Sequence, residues 1–427
     1  MGSTLTRQDF LRVSGGAIAS VYALTLVGCG GGGGEGGQAS SVDLFHDKPD
    51  WNYKKMGELS QKDIGIRIKP SSYSDTTSFQ QAIKSSLRSA EAPGLFTWWS
   101  GYRLEELSQQ GGLQNLTSLW ESQTDDGNLQ AGMADNFSFE GKQYAVPNAV
   151  SYWPVFYNKR VFEENGLEPP NTWDELISAA DKLTKSGVKP FYATLDGRWP
   201  AFIWFEELLI RSDPDFYNGL MQGEESYTDP VVVDVMKEWK SMIDAGYFTK
   251  LDIPLDATAI GEFKQGNFAM MPIGTWFNNG MLDEGLKPGE DYDLFVLPNV
   301  NPDLNENVVI VETGALAIPT NAPDVEASER VAEWWVSPKA ASTWAKELGD
   351  IPVNPKAEAL SPMLNTLIST IQDNNYRLMQ RFWEATLPQI VEPAVDELGR
   401  FMLNPGQYME VLKTIEDIAQ REWSNRG

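Results

Sequence analysis

Apolar residues recur along this 427-residue chain with two alternating periods, and that alternation limits its possible folds more than any single motif. Val42-Asp43-Leu44-Phe45 reads as a strand, ended by the turn-prone His46-Asp47-Lys48-Pro49. Ile64-Gly65-Ile66-Arg67-Ile68 alternates with period two as a second strand. Phe79, Ala82, Ile83 and Leu87 then mark a helix over Phe79 to Ala90. Leu95-Phe96-Thr97-Trp98-Trp99 is a third strand, and a helix runs from Arg103 to Gln110. Strand, helix, strand, helix predicts an α/β chain with a parallel sheet covered by helices. Ligands of such sheets sit beyond the carboxyl ends of the strands, which is where His46, Asp47, Trp98, Trp99 and Ser100 fall.

The pattern continues with a turn and strand over Gly141 to Pro147 and an apolar strand over Trp153 to Asn158. A crossing between lobes fits between them. Thr172 with Glu175 three residues later signals a helix start, and that helix runs to about Ser186-Gly187. Helices follow over Phe202 to Ile210, Val231 to Ala245 and Ala257 to Gln265. Gly266 to Pro272 is a strand approaching Gly274-Thr275-Trp276. Leu294 to Leu297 and Gly314 to Pro319 are short strands, and the chain from about Val325 onward reads as mainly helical.

Ahead of all this stand Arg7 and Arg12, then sixteen uncharged residues from Val13 to Gly28, the length of an export signal and short for a membrane span. Cys29, the single cysteine, closes the run Leu26-Val27-Gly28-Cys29 and is followed by a glycine-rich stretch that suits a flexible tether. The run resembles the lipobox of bacterial lipoproteins. That resemblance implies a signal peptide over 1–28, a lipid-anchored Cys29 with a tether over 29–41, and a mature protein on the outer face of the cell membrane. The Thr6 to Arg12 head also resembles a twin-arginine signal, with Gln8 in place of the second arginine, so the export route stays open.

Composition removes several functions. With 34 basic against 60 acidic residues the formal charge is −26, which disfavours a nucleic-acid partner. One histidine, His46, and one thiol leave His-dependent triads, Cys nucleophiles and His or Cys zinc sites without parts. No metal or cofactor is expected. Carboxylate chemistry survives, chiefly glycoside hydrolysis. The chain also holds 15 tryptophans, spread from Trp51 onward, and about half of them are expected in the core. A pyranose offers an apolar face and a rim of hydroxyls, so its binder uses aromatic platforms flanked by polar groups.

The order of landmarks resembles the extracellular solute-binding proteins of carbohydrate ABC importers, the branch that includes maltose-binding protein. The resemblance is carried by Phe79 to Ala90 leading into Ala92-Pro93-Gly94-Leu95-Phe96-Thr97-Trp98; by Gly111-Gly112-Leu113-x-Asn115-Leu116-Thr117; and by Val146-Pro147 to Tyr157-Asn158-Lys159. Gly166-Leu167-x-Pro169-x-x-Thr172-Trp173-Asp174-Glu175-Leu176, Phe263-x-x-Gly266-x-x-Ala269-Met270-x-x-x-Gly274-x-Trp276 and Gly314 to Pro319 extend it over nearly the whole mature chain. It implies a two-lobed periplasmic-binding-protein-like fold with discontinuous lobes, 42–150 with 297–348 and 151–296 with 349–427, and a ligand cleft between them. It further implies a monomeric, non-enzymatic component of a sugar transporter, which captures a mono- or oligosaccharide by hinge closure and delivers it to permease subunits. The alternatives are a secreted carboxylate-type glycoside hydrolase, or a binder of a non-sugar solute, for which Arg198 and Arg377 would supply a carboxylate clamp.

Trp276 leads the expected ligand residues, because its segment resembles one that places a stacking aromatic in the family cleft. Trp98 and Trp99 follow; adjacent strand residues point to opposite faces, so one of the two is expected to reach ligand. Ser151, Tyr152 and Trp153 lie at the first crossing, with Ser151 where maltose-binding protein carries a carboxylate, which argues against maltose itself. Asp196, Arg198 and Trp199 form a polar and aromatic cluster beside Gly197, and Asp47 and Glu312 are further hydroxyl acceptors.

Overall fold

In the computed structural model residues 41–49 and 51–426 are described; the expected signal peptide, Cys29 and the glycine tether lie outside them. Twelve strands occur among these residues: β1 (Ser41–His46), β2 (Arg67–Ser72), β3 (Leu95–Trp99), β4 (Ser138–Phe139), β5 (Lys142–Gln143), β6 (Ala145–Tyr152), β7 (Val155–Asn158), β8 (Lys189–Phe191), β9 (Phe268–Pro272), β10 (Tyr292–Phe295), β11 (Val308–Ala317) and β12 (Arg377–Gln380). They form two main sheets, wrapped by helices, as the α/β reading requires.

The larger sheet runs β12-β11-β3-β1-β2, with β6 also on β11. β1 pairs in parallel with β2 and with β3, the arrangement that helical crossovers impose. β11 pairs antiparallel with both β3 and β6 through Gly314–Ala317, so these two strands lie on its opposite edges. The smaller sheet runs β10-β7-β9-β8. Tyr152 ends β6 in the larger sheet and Val155 opens β7 in the smaller one, so Trp153-Pro154 carries the chain directly from one to the other. Among the described residues no helix is long and apolar enough to cross a membrane.

Local chemistry explains most element boundaries. Thr172 caps its helix as expected, accepting from the Glu175 amide at 3.2 Å, while the Glu175 carboxylate accepts from the Asn171 amide at 2.8 Å. Ile64 is a correction. It ends a polar helix, Tyr53–Ile64, instead of opening the second strand; Asn52 caps that helix and Gly65 terminates it in the left-handed region at φ 73°. The second strand therefore starts at Arg67, three residues late. The expected strand at Gly314 begins already at Val308, and β12 interrupts the stretch expected to be mainly helical. β12 pairs in parallel with Val308–Val311 of the larger sheet, so the expected grouping of all of 349–427 with the second lobe needs this strand excepted. Of the tryptophans, Trp153, Trp204, Trp239, Trp335 and Trp344 are core residues, each under 2 % exposed.

Gly57 shows how tightly the first helix lies on the sheet: a Cβ there would stand 2.2 Å from the Ile68 carbonyl oxygen. Gly57→Ala is therefore expected to push the helix off β2 and lower unfolding stability by about 1–3 kcal/mol, measured by urea denaturation, although alanine favours helix intrinsically.

Candidate ligand cleft

β1 and β3 end side by side, β6 runs out of the larger sheet toward β7, and β9 leads from the smaller sheet into Gly274-Thr275-Trp276. Where these ends meet lies a cleft of about 540 Å³. Asp47, Trp98, Trp99, Ser151, Arg198, Trp199, Trp276 and Glu312, all expected from sequence, line it. Tyr152, Trp153 and Asp196, also expected, do not. Trp153 is fully buried behind the cleft wall, Tyr152 is 3 % exposed and turned into the core, and Asp196 is exposed on its loop. Both adjacent tryptophans reach the cleft, contrary to the alternation argument. Trp98 is nearly buried, with its indole donating to the Arg103 carbonyl at 3.0 Å; Trp99, at the strand end, is more open and packs edge-on to it at 5.1 Å.

Sequence reasoning missed Tyr53, Asn148, Asp350, Arg381, Trp383, Glu384 and Glu392, and raised Trp51 only as one of the dispersed tryptophans. All eight line the cleft. Six tryptophans thus converge there: Trp51, Trp98, Trp99, Trp199, Trp276 and Trp383.

The cleft floor is ionic. Oε2 of Glu312 accepts from the indole N–H of Trp276 at 2.9 Å and of Trp153 at 3.2 Å, and is paired with Arg381 Nη1 at 2.9 Å. Arg381 also donates from Nε to Glu384 at 2.9 Å and from Nη2 to the other Glu384 oxygen. Burial alone would lower the Arg381 guanidinium, but Glu312, Glu384 and Glu206 together hold it above its ordinary value. Burial raises Glu384, and Arg381 opposes that rise. Gly274 makes this convergence possible: a Cβ there would sit 2.2 Å from Trp276 Nε1 and 3.1 Å from Trp153 Nε1.

The other cations of the cleft are paired as well. Arg198 donates to both oxygens of Asp396 at 2.8 Å, held by an Arg198 backbone at φ 66° that a non-glycine residue adopts at some cost. Lys48 lies 3.7 Å from Asp47. Arg103, 7 % exposed, is paired with Glu392 at 2.8 Å and lies 4.5 Å from the Trp383 ring, joining the segment after β3 to the one after β12. Asp350 is buried and accepts from the hydroxyls of Ser151 and Thr275 and from the Ile351 amide at 2.8 Å. Burial, and to a lesser degree Glu312, raise it to about 7 against the hydrogen bonds that lower it. Among the described residues no cluster of three His, Cys, Asp or Glu side chains could hold a metal ion.

A cleft lined by aromatics over an ionic floor, between two sheets joined by a short crossing, defines a solute-capturing clamp. Residues 55–368 match the bacterial extracellular solute-binding protein family, and the chain belongs to it. It is 24 % identical over 331 residues to an ABC transporter extracellular-binding protein of Pyrococcus horikoshii, covering 76 % of this chain and 73 % of that one. To the alpha-glucosides-binding periplasmic protein of Rhizobium meliloti it is 26 % identical over 305 residues, 66 % of this chain and 64 % of the relative. Among solved structures, a bacterial solute receptor described as exclusive for β-D-galactopyranose superposes with a TM-score of 0.77 at 23 % identity, over 90 % of this chain and all of that one. A chitin oligosaccharide binding protein superposes at 0.74 with 20 % identity and the same coverage. These likenesses establish the two-domain solute-binding fold.

Two outcomes follow from the buried charges. Arg381→Met leaves Glu384 buried without its partner and is expected to cost about 3–5 kcal/mol in chemical denaturation. Asp350 holds its proton more tightly folded than unfolded. Its contribution to stability is therefore complete below its ordinary value of 3.8 and is lost as pH rises through about 7. A series of urea midpoints across that window should fall with pH in the native protein and lose this component of the slope in Asp350→Asn.

Proposed function

We propose that the mature protein is the substrate-binding component of a sugar ABC importer, tethered to the outer face of the cell membrane by a lipid on Cys29. It captures a mono- or oligosaccharide as a monomer and presents it to the permease subunits. The observation that carries the sugar reading is the convergence of six tryptophans on one cleft whose cations are already paired with protein carboxylates. Flat aromatic faces stack on the C–H face of a pyranose. Glu312 uses Oε2 for two indole donors and its ion pair with Arg381, leaving Oε1 for a ligand hydroxyl, with Asp47 and Asn148 as further polar partners. A ligand carboxylate or phosphate would have to break an existing ion pair, so neutral sugars are favoured over uronates and over amino acids that need an arginine clamp.

The lobes are 42–150 with 297–348 and 151–296 with 349–427, β12 excepted, and the Trp153-Pro154 crossing is one hinge. A ligand that touches both lobes binds the closed form better and shifts the population toward it. Hinged closure of two domains around a ligand is the general behaviour of periplasmic binding proteins. The ligands named for the similar proteins, α-glucosides for one relative and chitin oligosaccharides for one structural neighbour, support sugar capture while differing from one another.

The test is a thermal-shift screen of residues 42–427 against galactose, raffinose, diacetylchitobiose and glucuronate. A ligand at one hundred times its dissociation constant adds about 2.7 kcal/mol of stability. A neutral sugar is expected to raise the melting temperature without being consumed, and Trp276→Ala to abolish the shift. Consumption of the sugar would make the protein a glycoside hydrolase, and a glucuronate response with no neutral hit would reject the neutral-sugar reading.

A further inference from the structure

Asp350 lies outside the strands of both sheets, yet it is bonded to the end of β6, where the crossing starts, and to the segment that places Trp276. Its Oδ2 accepts from Ser151, the penultimate residue of β6, and its Oδ1 from Thr275, the residue before Trp276. The Thr275 hydroxyl in turn accepts from the Tyr152 amide at 3.2 Å. One carboxylate therefore locks the start of the crossing between the sheets to the backbone that carries Trp276. Asp350 itself follows the helix Pro338–Leu348 through Gly349, at φ 65°, and its neighbour Ile351 bridges Val150 of β6. Three separate stretches of chain thus meet on two oxygen atoms.

The site is also poised between water and core. Asp350 is 1 % exposed and lines the cleft, so among the described residues it is shielded by protein on every side but the one that faces the cleft. The charged group facing it is Glu312 on β11, itself paired with Arg381; the groups contributed by β6, by the Thr275 turn and by Ile351 are uncharged donors. A solute filling the cleft displaces the water that best tolerates a carboxylate charge, and burial is the first cause that disfavours that charge here.

Resting on the solute-capture reading above, we propose that Asp350 is a positioning residue of the cleft, which orients Trp276 through Thr275, ties it to the Ser151 crossing, and takes up a proton when a ligand fills the cleft. Loading and proton uptake are then linked. Binding is tightest where Asp350 is readily protonated and weakens as pH rises through neutrality. Each unit by which capture raises the acid corresponds to about tenfold in affinity between the two limits.

The experiment is calorimetry of residues 42–427 with galactose, raffinose and diacetylchitobiose near pH 7, in buffers of different ionisation enthalpy. Native protein is expected to take up a fraction of a proton per sugar bound and to bind more weakly at about pH 9 than at about pH 5. Asp350→Asn should bind with no uptake and a flat pH profile. His46→Gln, which removes the chain's only histidine, should keep both. Ser151→Ala is a second variant, expected to retain uptake with a displaced profile. Binding without uptake, or uptake unchanged in Asp350→Asn, would overturn the proposal while leaving sugar capture intact. If none of the three sugars binds native protein, the sugar reading fails instead. The positioning role is then read from tryptophan fluorescence of the unliganded protein: a transition near pH 7 that vanishes in Asp350→Asn supports it, and a flat native titration rejects it.

Discussion

The architecture of the cleft depends on one carboxylate oxygen. Oε2 of Glu312 gathers the indole of Trp153, from the crossing between the sheets, the indole of Trp276, from the segment after β9, and the guanidinium of Arg381, from the segment after β12. Glu312 belongs to β11, the longest strand of the larger sheet. A single acceptor therefore references the cleft aromatics to both sheets at once. Buried charges of this kind contribute little net stability, because desolvation consumes most of the Coulombic gain. What they provide is direction: an apolar contact would tolerate an indole in several orientations, whereas an indole N–H aimed at a charged oxygen tolerates few.

The same arrangement explains how so acidic a chain can hold an uncharged ligand site. Arg381, Arg198, Arg103 and Lys48 each meet a carboxylate at or beside the cleft, so these cations are already paired and the aromatic faces dominate what a solute meets. The overall charge of −26 favours solubility. Selectivity in such a cleft comes from shape and from the few unpaired polar atoms, and family members with one frame can accordingly differ in the sugars their names record.

The fold class is legible in the sequence because burial on both sides of a parallel strand leaves apolar runs such as Leu95–Trp99, and because Thr172 caps its helix with its own side chain. The boundary at Ile64 misleads since two β-branched residues around a glycine match a strand locally, while the glycine serves as a left-handed helix stop. At the cleft, Trp276, Trp199 and Glu312 can be named from strand ends and short motifs. Asp350, Arg381 and Trp383 cannot, because their roles arise from contacts with residues far away along the chain: Asp350 with Ser151, Arg381 with Glu312, and Trp383 with Arg103. Trp153 looks like a ligand platform for the same reason that it is a support: an aromatic at a crossing suits either side of the wall, and only its complete burial in the folded chain places it behind that wall.

That distinction bears on how the clamp moves. A hinge built from apolar contacts alone would slide, since packing energy changes gradually with small displacements of the chain. Ser151, Tyr152 and Thr275 instead meet Asp350 and each other through hydrogen bonds with narrow angular limits. Opening must either preserve that cluster and bend elsewhere, or break it and expose a carboxylate that water then stabilises. The first course keeps Trp276 fixed to the crossing and makes the lobes rigid bodies. The second couples opening to the charge on Asp350.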